Sequence, residues 1–273
     1  MSAKALSSGP DQMIDCRGGS AERMTSDRVL GVLGGMGPLA SAHFMLRLTL
    51  LTPAERDQDH VPAVLWSDPR VPDRTSARLA GGADPLPFLL RAIAGLRQAG
   101  CGAIAIPCNT AHGWYDAMQA AAGCPILHIV DAAADELRRI GCIGGRIGVL
   151  GTAGTLAMRL YQDRLGELGW ECVTPDQAEM DRLVTPGIAL VKANRVADAR
   201  APLAEAARGL TAKGARAVVL GCTEIPLALH ADAADPPPVP LIDTIDALAR
   251  TAIAWARGEG RGEFRHCRDK NRR

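Results

Sequence analysis

A chain of 273 residues with 47% hydrophobic content is long enough for two domains, each with its own core. Lys+Arg 31 against Asp+Glu 30 leaves a formal net charge of +1, and aromatics make up 3%. That balance excludes a global basic field for nucleic acid or an anionic membrane, and a base-stacking surface.

Residues 1–27 are rich in Ser, Gly and charge and read as a disordered extension. They lack the apolar segment of a secretory leader, and no run approaches the ~18 apolar residues of a membrane span. The expected setting is a reducing cytoplasm. Strand and helix patterns then alternate. The pattern predicts a strand over 29–33, a helix over 38–51 with Pro38 in its first turn, and a strand over 61–66. Pro72-Asp73-Arg74-Thr75 reads as a loop. A helix over 84–99, a strand over 103–106 and a helix from about Thr110 follow. Residues 126–130 read as a strand and 132–140 as a helix ended by Gly141.

A second series begins with a strand over 147–150, a helix over 156–168 and a strand over 171–173. Helices over 177–192 and 198–212 lead to a strand over 217–220. The chain closes with a strand over 239–242, a helix over 244–257 and a basic tail, 259–273. Alternating β and α with short loops predicts parallel sheets covered on both faces, twice over.

Two landmarks recur at nearly one offset. Cys108 ends one apolar strand segment and Cys222 another, and 222 − 108 = 114. Gly31-Val-Leu-Gly34 resembles Gly148-Val-Leu-Gly151, and 151 − 34 = 117. The recurrence predicts a duplicated α/β unit with one thiol per copy, placed where such sheets bind ligands, at the carboxyl ends of strands. Facing copies would set two thiols around one site, as suits removal of a proton from one face of a carbon and its return on the other. A helix N-terminus after each cysteine would lower its thiol pKa.

The other motifs are read with their plainer alternatives. Gly35-x-Gly37-x-x-Ala40 fits a dinucleotide fingerprint or a helix N-terminus that binds a carboxylate, and the second suits a small substrate better. Arg74 is a surface cation or a clamp on a carboxylate. Lys192 ends a helix, where lysine is common. His112 is a capping histidine or a partner of Cys108. Glu224 either favours its own helix start or orients, or takes a proton from, the Cys222 thiol. Eight cysteines form no C-x-x-C pair, so neither a metal site nor a disulfide framework is expected.

The motifs Gly34-Gly-Met-Gly-Pro38, Pro72-Asp-Arg-Thr75, Pro107-Cys-Asn-Thr-Ala-His112, Gly151-Thr-Ala-Gly-Thr155, Val191-Lys-Ala193 and Gly221-Cys-Thr-Glu224 occur in this order. Together they resemble the aspartate/glutamate racemase family, of the aspartate racemase type that needs no pyridoxal phosphate, over about residues 28–257. The resemblance implies two similar α/β domains related by a pseudo-twofold axis, with the active site in the cleft between them. Its domains would be 28–131 plus 239–258 and 132–238, the last strand and helix returning to the first. It implies Cys108 and Cys222 as acid/base residues. Asn109, Thr110 and Thr223 would hold the α-carboxylate and amino group, Arg74 and Lys192 the distal carboxylate, with Thr75 and Glu224 also in the binding set. It further implies a small dicarboxylic amino acid as substrate, no cofactor and a homodimer. A hydantoin racemase, another cysteine-dependent isomerase or a non-catalytic amino-acid-binding module on the same fold remain alternatives.

Overall fold

A computed structural model describes residues 28–229 and 237–259. The expectations for 1–27, for most of the basic tail and for the start of the proline-rich loop at Asp235 lie outside the described residues.

The first unit carries β1 (Val29–Gly34), α1 (Pro38–Leu51), β2 (Ala63–Ser67), α2 (Arg74–Leu79), α3 (Leu86–Gln98) and β3 (Cys101–Ala105). A 3-10 turn, Thr110–Trp114, leads into α4 (Tyr115–Ala122), followed by β4 (Ile126–Leu127) and α5 (Ile129–Arg139). The second carries β5 (Gly145–Gly151), α6 (Ala153–Ala157), α7 (Leu160–Glu167) and β6 (Trp170–Val173). There α8 (Gln177–Glu179) runs through a π-helical turn, Met180–Val184, into α9 (Thr185–Lys192). The chain continues through α10 (Val196–Ala212), β7 (Ala217–Gly221), α11 (Ile225–Ala228), β8 (Leu241–Asp243) and α12 (Thr244–Arg257).

All pairings are parallel, and the sheet orders are β2-β1-β3-β4 and β6-β5-β7-β8. The second order is the first repeated, so β3 and β7, which precede the two cysteines, occupy the same place. The expected return of the last strand to the first unit is not what the chain does. β8 pairs with β7 in the second sheet, Val219 opposite Ile242, as the counterpart of β4. It is the helices that change sides. α12 packs against α1, while α5 packs against α7, β8 and α12. Equivalent ion pairs hold both exchanges. Arg47 on α1 binds Asp246 on α12 through two bonds of 2.5 and 2.7 Å, and Arg164 on α7 binds Asp131 on α5. The offsets, 246 − 131 = 115 and 164 − 47 = 117, are those of the repeat.

One apolar core, including Leu30, Phe44, Leu137, Val149, Tyr161 and Leu248, is shared by both sheets and the exchanged helices. Two further cores fill the outer faces, one under α3 and α4, the other under α9 and α10. Burial of this kind contributes about 25 cal/mol per Å² of apolar surface.

Local differences have local causes. Residues 126–130 read as one strand, but β4 stops at Leu127 because the His128 ring accepts the Val130 N–H and caps α5. The segment 156–168 reads as one helix, yet Arg159 at φ 54° separates α6 from α7. Pro72–Thr75 reads as a loop, but Arg74 opens α2, whose N-cap Asp73 accepts from Ser76 N at 2.7 Å.

Candidate active site

The loops after β1, β3, β5 and β7, with α2 and the end of α9, line one small pocket. Met36, Asp73, Arg74, Thr75, Cys108, Asn109, Thr110, Thr152, Lys192, Cys222, Thr223 and Glu224 form its wall. Every residue expected at the site is there. The cavity is about 10 Å³, the room of a single water, so the walls must part to admit anything larger. Wider grooves elsewhere, such as one of about 610 Å³ beside α5 and α12, contain neither Cys108 nor Cys222.

Both cysteines are buried, Cys108 at 5% and Cys222 at 4% exposure. Their surroundings differ. Cys222 Sγ donates to Glu224 Oε2 at 3.0 Å, and the other carboxylate oxygen accepts the Gly37 N–H at 3.1 Å. Burial, then the Glu224 charge and that hydrogen bond, push the Cys222 thiol well above its usual range. This corrects the expectation that a helix start lowers it: α11 is one turn long and cannot offset desolvation. The carboxylate at the start of α1 is thus the chain's own. Gly35 N also has a partner, Ser41 Oγ at 2.9 Å, so two N–H groups of this glycine loop are engaged within the chain.

Arg74 is 9% exposed. Its Nη atoms donate to the carbonyls of Val71, Pro72 and Met36 at 3.2–3.3 Å, while Nε is buried without a partner. Among the described residues no carboxylate forms an ion pair with this guanidinium. The negative charge next to it on the wall is Asp73, whose carboxyl, against the effect of burial, is held below its usual range by its own hydrogen bonds from Ser76 and by the Lys192 and Arg74 charges. Lys192, exposed at the end of α9, adds a second positive charge to the wall.

Hydroxyl and amide groups fill the remainder. Thr110 Oγ1 lies 2.9 Å from both Thr152 Oγ1 and Thr155 Oγ1, and Thr223 Oγ1 donates to Pro107 O at 3.1 Å. Asn109 is held on both sides: Tyr161 donates to its Oδ1 at 2.5 Å, and its Nδ2 donates to Thr244 Oγ1 at 3.2 Å. Thr244 in turn donates to Leu220 O at 2.8 Å. Sequence reasoning placed Thr152 and Thr155 at a ligand-facing strand end through the Gly151-Thr-Ala-Gly-Thr155 motif but missed Tyr161 and Thr244. No local signal marks Tyr161.

His112 is buried behind the pocket. Its Nδ1 lies 2.9 Å from Cys108 O, and Nε2 accepts from Ile129 N at 3.2 Å. The ring therefore binds backbone and not a thiol, and burial lowers its pKa to about 4. It staples the Cys108 turn to α5. Among the described residues no group of three His, Cys, Asp or Glu is arranged to hold a metal ion.

The family model described as Asp/Glu/Hydantoin racemase matches residues 33–252. Aspartate racemase of Picrophilus torridus is 32% identical, the match covering 85% of this chain and 94% of that one, with a TM-score of 0.74. A putative Asp/Glu racemase from Yersinia pestis is 28% identical, covering 84% and 99%, with a TM-score of 0.67. The broad specificity amino-acid racemase RacX of Bacillus subtilis is 26% identical over 238 residues, 83% of this chain and 97% of its own. With the repeated parallel sheets and the paired cysteine loops, these likenesses have one reading: the chain belongs to the Asp/Glu/hydantoin racemase family.

Proposed function

We propose that the protein interconverts L- and D-aspartate, with glutamate as the next substrate, by two-base proton transfer between Cys108 and Cys222. The observation that carries this reading is the pocket itself: two cysteines from equivalent strand ends share it with a buried guanidinium whose Nε has no hydrogen-bond partner among the described residues. One cysteine, as thiolate, takes the α-proton and becomes a thiol. The other thiol gives its proton to the opposite face and becomes a thiolate, so each turnover exchanges their roles.

The α-carbon of an amino acid is a very weak acid. Arg74 and Lys192 supply positive charge for the substrate carboxylates, and the amide of Asn109 with the hydroxyls of Thr75, Thr110 and Thr223 supply hydrogen bonds. A dry pocket strengthens each of these interactions. Two cations favour a dicarboxylate over a hydantoin, and the likeness to an aspartate racemase supports aspartate as the first substrate to try. A homodimer in the cytoplasm belongs to the same reading and is checked by sedimentation and fractionation.

The test is L-aspartate in D2O without added cofactor. D-Aspartate carrying deuterium at Cα is expected, and Cys108→Ala and Cys222→Ala should each abolish it. Near-normal turnover by either variant would sink the two-thiol mechanism.

A further inference from the structure

We propose that Glu224 is a positioning residue that holds Cys222 protonated in the free enzyme, so that the two thiols enter the reaction unequal. The proposal rests on the two-cysteine reading above, and it takes Glu224 out of the set that binds substrate.

The repeat locates the asymmetry at one position. Thr110 follows Cys108 by two residues as Glu224 follows Cys222, and 224 − 110 = 114. Each reaches into the opposite unit at the helix that follows its first strand. Thr110 meets Thr152 and Thr155 at the start of α6, and Glu224 meets Gly37 N at the start of α1. Thr110 is neutral and its hydroxyl is engaged there. Glu224 has a second oxygen, and that oxygen faces Cys222 Sγ at 3.0 Å. A carboxylate only accepts hydrogen bonds, so the sulfur must carry the proton. A thiolate at this distance would place two negative charges together in a buried site.

The other groups around Cys222 do not reverse this. Lys192 from α9 is positive and pulls the thiol pKa down, but it is exposed and ranks below burial and Glu224. Asp73 and Arg74 from α2 and Cys108 share the pocket wall, and Tyr161 from α7 is buried with its hydroxyl held protonated. Glu224 is itself fixed, since Gly37 N–H anchors one oxygen and a Cβ on Gly37 would stand 2.9 Å from it. In one direction of racemisation Cys222 is ready as the proton donor. In the other it must first lose its proton against the Glu224 charge.

The test compares kcat/KM against pH for each enantiomer of aspartate in the wild type and in Glu224→Gln, which keeps an oxygen for Gly37 and loses the charge. For the direction that needs the Cys222 thiolate, the acid limb should move to lower pH by about one unit or more, a tenfold gain at its foot. The difference in thiolate ultraviolet absorbance between Cys108→Ser and Cys108→Ser/Cys222→Ser proteins, which isolates Cys222 from the other cysteines, should show the same shift on adding Glu224→Gln, without turnover. A limb that stays in place while kcat falls, or that moves to higher pH, overturns the proposal; Glu224 would then be a packing group or a proton acceptor. If neither enantiomer is racemised, the racemase reading fails and the absorbance titration still decides the role of Glu224. If the Gln variant does not fold, Glu224→Asp, with its carboxylate drawn back by one methylene, should give a smaller shift of the same sign, and no shift overturns the idea.

Discussion

Asp243 closes β8 and caps α12, accepting from Ile245 N at 2.7 Å and Asp246 N at 3.3 Å. The next residue, Thr244, holds the Asn109 amide, so this cap sets part of the pocket. Burial, then the nearby Asp246 charge, push the Asp243 carboxyl from the usual 3.8 up to about 7. The folded pKa is raised, so between about pH 4 and 7 the native chain keeps a proton that the unfolded chain has released. Stability therefore falls as pH rises through that window and levels off above it. Roughly three pH units at 1.36 kcal/mol each make about 4 kcal/mol, a ceiling because the folded value is good to about a unit. Asparagine caps a helix as well as aspartate does and carries no charge. Asp243→Asn should gain about 2–3 kcal/mol on the wild type between pH 5 and pH 8, the part of the window that lies above pH 5. Urea denaturation at both pH values reads this difference, with other titrating groups common to both proteins. An equal difference at both pH values, or a variant less stable at pH 8, would refute the reasoning.

Tyr161→Phe removes the donor to Asn109 Oδ1 and should cost about 1–2 kcal/mol of stability and roughly tenfold in kcat, read by denaturation and by the chiral assay. Arg74→Lys keeps the charge but loses the planar fork, so kcat/KM for aspartate should fall at least about tenfold with little change in melting temperature. Gly154→Val places a Cβ 3.0 Å from Thr75 Oγ1 and 3.1 Å from Thr110 Cγ2. Overpacking there should cost about 1–3 kcal/mol and raise KM, which calorimetry and steady-state kinetics report separately.

Of the helices with end signals, α1 and α12 were legible to the residue, whereas α3 and α5 were placed one to three residues off. Pro38 opens α1, and Asp243 with Gly258 bounds α12. Short apolar runs were not. Ile126-Leu-His-Ile-Val130 has the composition of a strand, and only the His128 ring bonding Val130 N turns its second half into helix. The break at Arg159 carries no glycine or proline to announce it. The sheet of the last strand depends on pairing with β7, a contact no local pattern encodes. At the site, the cysteines and their flanking residues were visible through the repeat. Tyr161, which binds Asn109 across 52 positions of sequence, and the seat Glu224 takes at Gly37 arise only when the units meet.

The exchanged helices make the two units one folding entity. A cut between α5 and β5, around residues 141–144, separates the repeats in sequence but not in space. The first fragment would keep α5 without α7, and the second would keep α12 without α1, each with a carboxylate parted from its arginine. Neither fragment completes the shared core alone, whereas the two expressed together can reassemble it. The intact chain should accordingly melt in a single cooperative transition despite its duplicated plan.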